Sequence, residues 1–312
     1  MIEAGIEPSY TTSLGQCFEG DALEVLRKLP SASVSLVLTS PPFALRRRKA
    51  YGNVEPSEYI EWFWPFAVEI QRVLTDEGSF VFELGGAWER GRGIRSLYQY
   101  ELILRLGKLF RLAQEFYWYN PSKMPTPAEW VTIRRTRVKD AVNPIWWLSK
   151  TDSPNADNRR VLRPYSRSMR RLLRDGYQTA MRPSQHEIGP HFRRDNGGAI
   201  PPNLLQVPNT RSSDEYFRRC RAAELPIHPA RFPAPVPEFF IRFLTEPGQL
   251  VLDPFSGSNM TGHVAEQLER HWLSIEINPE YVAGSRLRFE EDEPRITRLA
   301  RKKDKRKKPL RV

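Results

Sequence analysis

Cysteine is scarce in these 312 residues: Cys17 and Cys220 are the two there are, and they stand far apart in the chain. That scarcity rules out a disulfide framework, offers no set of cysteine metal ligands and suits a reducing, cytoplasmic setting. No apolar run reaches the roughly 18 residues that a membrane-spanning helix needs, so no membrane partner is expected. The opening stretch, MIEAGIEPSYTTSLGQ, has neither a basic start nor an apolar core, so no secretion signal is read there. No internal repeat is evident, and GxGxxG, the dinucleotide fingerprint, does not occur.

Positive charge, by contrast, is in surplus. The net charge is +11, with hydrophobic residues at 40% and charged residues at 27%, values of a globular protein rather than a disordered one. The last twelve residues, RKKDKRKKPLRV, carry eight Lys/Arg against Asp304, or +7, which leaves +4 on the other 300. Such a tail reads as solvated and disordered, and it can still attract phosphates. Arg46, Arg47, Arg48 and Lys49 form a second basic run, and Arg167, Arg170, Arg171 and Arg174 recur at near-helical spacing. Basicity favours a polyanionic partner but decides nothing about chemistry.

Apolar strand-like runs alternate with helix-like ones, the pattern of a mostly parallel α/β sheet. Strands are expected at 34–39, 79–84, 115–119, 145–148, 250–253 and 272–277. Helices are expected from Gly20-Asp21 through Leu29, at 57–74, around 97–110, at 236–245, and from 259 and 279. Between about 151 and 225 the text turns irregular and rich in Pro, Asn, Ser and Arg, which reads as a loop-rich insert. Two α/β stretches on either side of it suggest one sheet built from both ends of the chain. The expected divisions are therefore 13–150, 151–225 as the insert, 226–293, and the basic tail 294–312.

Two motifs carry chemistry. In Leu250-Val-Leu-Asp253-Pro-Phe255-Ser-Gly257-Ser258 a strand runs through a tight turn towards a helix, the place where open α/β sheets bind ligands. Asp253 there would repel a pyrophosphate but suits a cationic group such as the ammonium or sulfonium of S-adenosylmethionine. Glu276 ends the next strand, where a carboxylate can accept two hydrogen bonds from a ribose diol. A packed turn explains Gly257 equally well. The second motif, Ser40-Pro41-Pro42-Phe43, ends the strand 34–39. Its prolines remove two N–H donors and can leave carbonyl oxygens facing a ligand. Ser40 adds an acceptor and Phe43 a flat face for a base. Pro-Pro alone is more often a plain strand-ending turn.

Taken together, the two motifs resemble those of the exocyclic-amino DNA methyltransferases, and the Ser-Pro-Pro-Phe form resembles the cytosine-N4 group. The catalytic motif precedes the cofactor motif, as in the permuted class called β. Further segments, among them GDALEVL, NPSKMPTPAEWV, RVKDAVNPIWW and HPARFP, are similar to the PvuII-type enzymes over residues 13–290. The resemblance implies a circularly permuted, Rossmann-like methyltransferase fold with S-adenosylmethionine as cofactor, duplex DNA as partner, the insert as target-recognition region and no metal. It implies that Ser40, Pro41, Pro42 and Phe43 are catalytic. It assigns cofactor binding to Asp253, Phe255, Gly257 and Ser258 at the turn, Glu276 at the ribose, Asp21 at the adenine amino group, and His228 and Phe232 over the methionine part. His228 is more often structural than a ligand in such a segment. Asn259 and Met260 depart from the family's glycine and threonine, and Asn tolerates the left-handed backbone the turn needs.

A base in a duplex must be rotated out to be reached. The cytosine N4 lone pair is delocalised into the ring, so acceptors at Ser40 and the Pro41 carbonyl are expected to aim it. Ser40 is a poor base, and the proton is expected to leave late or to water. No Pro-Cys pair exists, so no C5-type covalent nucleophile is present. The alternatives are an adenine-N6 enzyme with the same pocket, an RNA methyltransferase, and a basic DNA-binding module on a degenerate methyltransferase fold. The PvuII-type relatives imply CAGCTG as the recognised site, with the inner cytosine as target.

Overall fold

The computed structural model describes residues 6–44, 54–89, 91–176, 194–210 and 215–290. The basic run at 46–49 and the tail 294–312 lie outside them. The chain opens with β1 (Tyr10–Thr11) and β2 (Gly15–Glu19), followed by α1 (Ala22–Lys28) and β3 (Val34–Thr39). Asp21 caps α1, accepting from the amides of Leu23 and Glu24 as an N-cap aspartate does. Next come α2 (Tyr59–Val73), β4 (Leu74–Glu83), α3 (Tyr98–Leu106), β5 (Arg111–Tyr119) and β6 (Val142–Ser149). Within 151–225 stand α4 (Arg167–Asp175), β7 (Leu204–Gln206) and α5 (Glu215–Ala222). The chain then gives α6 (Pro235–Leu244), β8 (Leu250–Asp253), α7 (Met260–Gln267), β9 (His271–Glu276) and α8 (Pro279–Arg286).

Among the described residues nine strands form one sheet, in the order β1-β2-β9-β8-β3-β4-β6-β5-β7. The block from β2 to β4 is parallel throughout, and β6 runs antiparallel between β4 and β5. Because β2 pairs with β9, the two ends of the chain share the sheet, as the alternation on either side of the irregular stretch implied.

Side-chain alternation explains why the central strands read as continuous apolar runs. Along β3, Val37 enters the core under α1, α2 and α3, while Leu36 and Leu38 enter the core under α6, α7 and α8. Phe80 and Phe82 of β4 face the first core and Val81 the second. A parallel sheet covered on both faces needs this two-sided apolarity.

The irregular stretch is stitched to the main body at several points. Residues 204–206 add an edge strand parallel to β5, and Tyr216 and Cys220 of α5 are buried. Helix α4 by contrast buries no residue, so its four arginines ride on a solvent-facing element.

Candidate active site

Four parallel neighbours, β2, β9, β8 and β3, end on one edge of the sheet, and β4 ends beside them. Reading across that edge gives Asp21 after β2, Glu276 on β9, Asp253 on β8, Ser40 after β3 and Glu83 on β4. Strands lie about 4.8 Å apart, so Asp21 and Ser40 stand roughly 14 Å apart across the sheet. An extended nucleoside bearing an amino-acid arm bridges such a span.

Asp253 and Thr39 tie the two motifs together. Thr39 Oγ1 donates to Asp253 Oδ1 at 2.6 Å, and the Phe255 amide donates to the same oxygen at 3.1 Å. Burial pushes the Asp253 carboxyl up to about 6, while those donors and Thr261 draw it down. Glu276 receives the Gly257 amide at 2.8 Å on one oxygen and the Asn278 amide at 2.9 Å on the other. Burial raises its pKa too, and the nearby Asp253 raises it further. Two buried acids held by hydroxyls and backbone amides retain lone pairs for a cation or a diol. They fit the ammonium, sulfonium and ribose of S-adenosylmethionine, and they disfavour a pyrophosphate-like anion.

The turn between them leaves no room for a side chain at Gly257. Its backbone has φ +51, and an added Cβ would lie 2.8 Å from the His228 ring. That ring stands edge-on to Tyr281 at 4.5 Å, with Nδ1 bonded to the Ala230 carbonyl. Burial lowers the His228 pKa to about 4, so the imidazole is neutral near pH 7. Asn259 keeps the left-handed backbone that the sequence led us to expect, at φ 51 and ψ 47. Its amide also ties β1, β9 and α7 together, donating to Tyr10 Oη and accepting from Ser274 Oγ and the Gly262 amide.

On the catalytic side, Ser40 Oγ donates to Glu83 Oε2 at 2.7 Å. Tyr59 Oη donates to the Pro42 carbonyl at 2.8 Å, which commits that oxygen to the fold. Phe43 is half-buried, and its ring lies over bare Gly85, where a Cβ would collide with it. Glu83 is buried, and its other oxygen accepts from Asn143 Nδ2 at 2.5 Å.

A model of a family described as DNA methylase, covering N6 and N4 methyltransferases, matches residues 34–286, from the start of β3 to the end of α8. The chain belongs to that DNA methylase family. It is 52% identical over 294 residues to the type II methyltransferase M.PvuII of Proteus hauseri, covering 93% of this chain and 88% of that one. It is 27% identical to the DNA adenine methyltransferase YhdJ of Escherichia coli K12, over 90% of this chain and 85% of that protein. Among solved structures, the cytosine-N4-specific PvuII DNA methyltransferase superposes with a TM-score of 0.76 at 45% identity, covering 95% of this chain and 94% of that one. A DNA modification methylase of Thermus thermophilus, in complex with S-adenosyl-L-methionine, shares the fold with a TM-score of 0.56 at 21% identity, over 88% and 93% of the two chains.

In this methylase the residues singled out from sequence fall into three groups. Asp253, Gly257, Glu276 and His228 converge on the turn after β8, and Asp21 stands one strand further along the same edge. Ser40 through Phe43 stand on the other side of Asp253. Phe255, Ser258 and Phe232 face elsewhere. The Phe255 ring packs at 5.2 Å on Phe66, Arg288 Nη2 donates to the Ser258 hydroxyl at 3.0 Å, and the Phe232 ring lies against Trp118. Glu83 was not singled out. In SFVFEL it reads as one more strand residue, and only the pairing of β4 with β6 brings Asn143 to it. Among the described residues no group of three or more His, Cys, Asp or Glu is placed to hold a metal, and no helix is long and apolar enough to cross a membrane.

Proposed function

We propose that this methylase transfers a methyl group from S-adenosylmethionine to N4 of a cytosine rotated out of duplex DNA. It acts in the cytoplasm as the modification half of a restriction-modification pair. The observation that carries the reading is Ser40, a hydroxyl rather than a carboxylate at the catalytic motif, hydrogen-bonded to buried Glu83 beside the Asp253 turn.

Bound S-adenosylmethionine supplies an electrophilic methyl group on a cationic sulfur. The residues of this chain do the rest. Asp253 lies at the cationic end, and Glu276 receives the ribose hydroxyls. Asp21 accepts both capping amides on Oδ1 and offers Oδ2 to the adenine amino group. His228 walls the turn as a neutral ring. The target cytosine stacks on Phe43, and its amino group donates to Ser40 and to the Pro41 carbonyl. Those bonds draw the N4 lone pair out of conjugation and fix its direction, which is where positional catalysis acts. As the N–C bond forms, nitrogen must release one proton. Ser40 takes it and gives its own to Glu83, whose carboxyl, near pKa 7, is matched to such a role at neutral pH. The expectation that the proton leaves to water therefore gains a specific acceptor.

The DNA-facing surface is assigned to the same edge. The connection from β5 to β6 rises there and presents Arg134, Arg135, Arg137 and Lys139, all exposed. The segment 151–225 is assigned to target recognition, with CAGCTG as the candidate site. Reaction of the purified protein with duplex DNA, followed by mass spectrometry of the nucleosides, should give N4-methylcytosine. N6-methyladenine or C5-methylcytosine as the product would overturn the reading. Ser40→Ala should lose transfer at least a hundredfold, in the range general acid–base groups contribute, while titrating S-adenosylmethionine as the wild type does.

A further inference from the structure

Behind the catalytic hydroxyl, a chain of hydrogen bonds leads outward through side chains that neither motif contains. Ser40 Oγ donates to Glu83 Oε2 at 2.7 Å, Asn143 Nδ2 donates to Glu83 Oε1 at 2.5 Å, and Lys123 Nζ donates to Asn143 Oδ1 at 3.2 Å. Glu83 is buried, whereas Asn143 and Lys123 are half-buried.

The middle link can face two ways, because a carboxamide carries an acceptor at one end and donors at the other. An ammonium has three donors and no acceptor, so Lys123 accepts only the oxygen end of Asn143. The NH2 end is thereby turned to Glu83. A reversed amide would set Asn143 Oδ1 against the carboxylate, an arrangement that only a protonated Glu83 could satisfy. We propose that Lys123 is a positioning residue for methyl transfer, locking the Asn143 amide in the orientation that keeps Glu83 an acceptor for Ser40. This inference rests on the reading of Ser40 as the group that holds the target amine.

Other groups near Glu83 are engaged elsewhere. Tyr59 on α2 and Tyr98 on α3 feel its charge, but their hydroxyls donate to the Pro42 and Gly85 carbonyls. Arg95, close to Tyr98, is paired with Asp140. Lys123 is the cation that acts on Glu83 among the described residues, drawing down a carboxyl that burial has pushed up to about 7.

The test is the pH profile of single-turnover methylation at saturating DNA and S-adenosylmethionine. In Lys123→Met the acid limb should move up by about one pH unit, the size of shift a lost charge and hydrogen bond produce. Lys123→Arg, again a pure donor, should restore the wild-type limb. Asn143→Leu should move the limb in the same direction, and adding Lys123→Met to it should move it no further, as coupling through one link requires. Lys123→Gln replaces Met if the latter does not fold, and a titration with S-adenosylmethionine reports folding for every variant. An unmoved limb in Lys123→Met, or an effect confined to KM for DNA, would overturn the inference while leaving the wild-type product intact. A further shift on adding Lys123→Met to Asn143→Leu would overturn it equally. Absence of N4-methylcytosine from the wild-type reaction would remove the functional reading and this inference with it.

Discussion

Asp253 is 4% exposed, with its carboxyl pushed up to about 6 by burial, so its charge is poised to respond to a neighbour. A cation at the turn favours the ionised form, and its binding is tied to loss of a proton. Affinity for S-adenosylmethionine should therefore fall as pH drops through about 6, where Asp253 protonates in the free protein. Asp253→Asn should weaken binding at least tenfold at about pH 8, about 1.4 kcal/mol, and flatten the dependence. Calorimetric titration across this range checks both, and identical curves for variant and wild type would remove Asp253 from the cofactor site. Asp253 was legible in the sequence because it ends an apolar strand at a Gly-containing turn. Glu83 ends a strand of the same kind, yet no local pattern separates it from a solvent-facing glutamate. Its partners Ser40, Asn143 and Lys123 are distant in sequence and meet it only through the sheet.

At the level of elements, legibility follows burial on two faces. The strands 34–39 and 250–253 were readable to the residue because both their faces are apolar. Strands β1, β2 and β7 were not, being short, mixed in character and held by their neighbours. A single π-helical turn, Glu129–Ile133, inside the connection between β5 and β6 also left no periodic signal. After it, Arg135 adopts φ +53, while the Thr136 and Arg137 amides both donate to the Trp130 carbonyl. Glycine is the usual occupant of such a left-handed position beyond a helical turn. Arg135→Gly should relieve about 1 kcal/mol of backbone strain and give back a similar amount through a more flexible unfolded chain. Stability should thus stay nearly constant, which isolates the side chain's charge. If that charge meets a phosphate, log affinity for DNA against log salt should become shallower by about 0.9. Parallel salt lines with unchanged affinity would take Arg135 off the DNA-facing surface.

The molecule as a whole carries its buried acids along one edge, and they make its stability depend on pH. Glu83 has an ordinary pKa of 4.5, raised by burial to about 7. Below 4.5 it is protonated folded or unfolded. Between 4.5 and 7 the unfolded chain releases that proton first, so the folded state loses stability as pH rises, by about 3 kcal/mol in all for a fully separated pair of pKa values. Asp253 acts in the same sense from 3.8 to about 6. Glu83→Gln should therefore gain little against wild type in urea unfolding near pH 4.5 and most above about pH 7. A difference that is constant with pH would show that Glu83 does not titrate in that window. The sheet has a second consequence at this scale. Tyr10 on β1 and Ser285 on α8 bond at 2.7 Å, and β2 lies against β9, so the first and last described strands are neighbours. A short linker from Glu290 to Ile6, with new ends opened between Ala223 and Ile227, would reverse the order of the two motifs while keeping every strand in its place. The gene can be read from either half first, and the edge of acids that receives the ligand is indifferent to which.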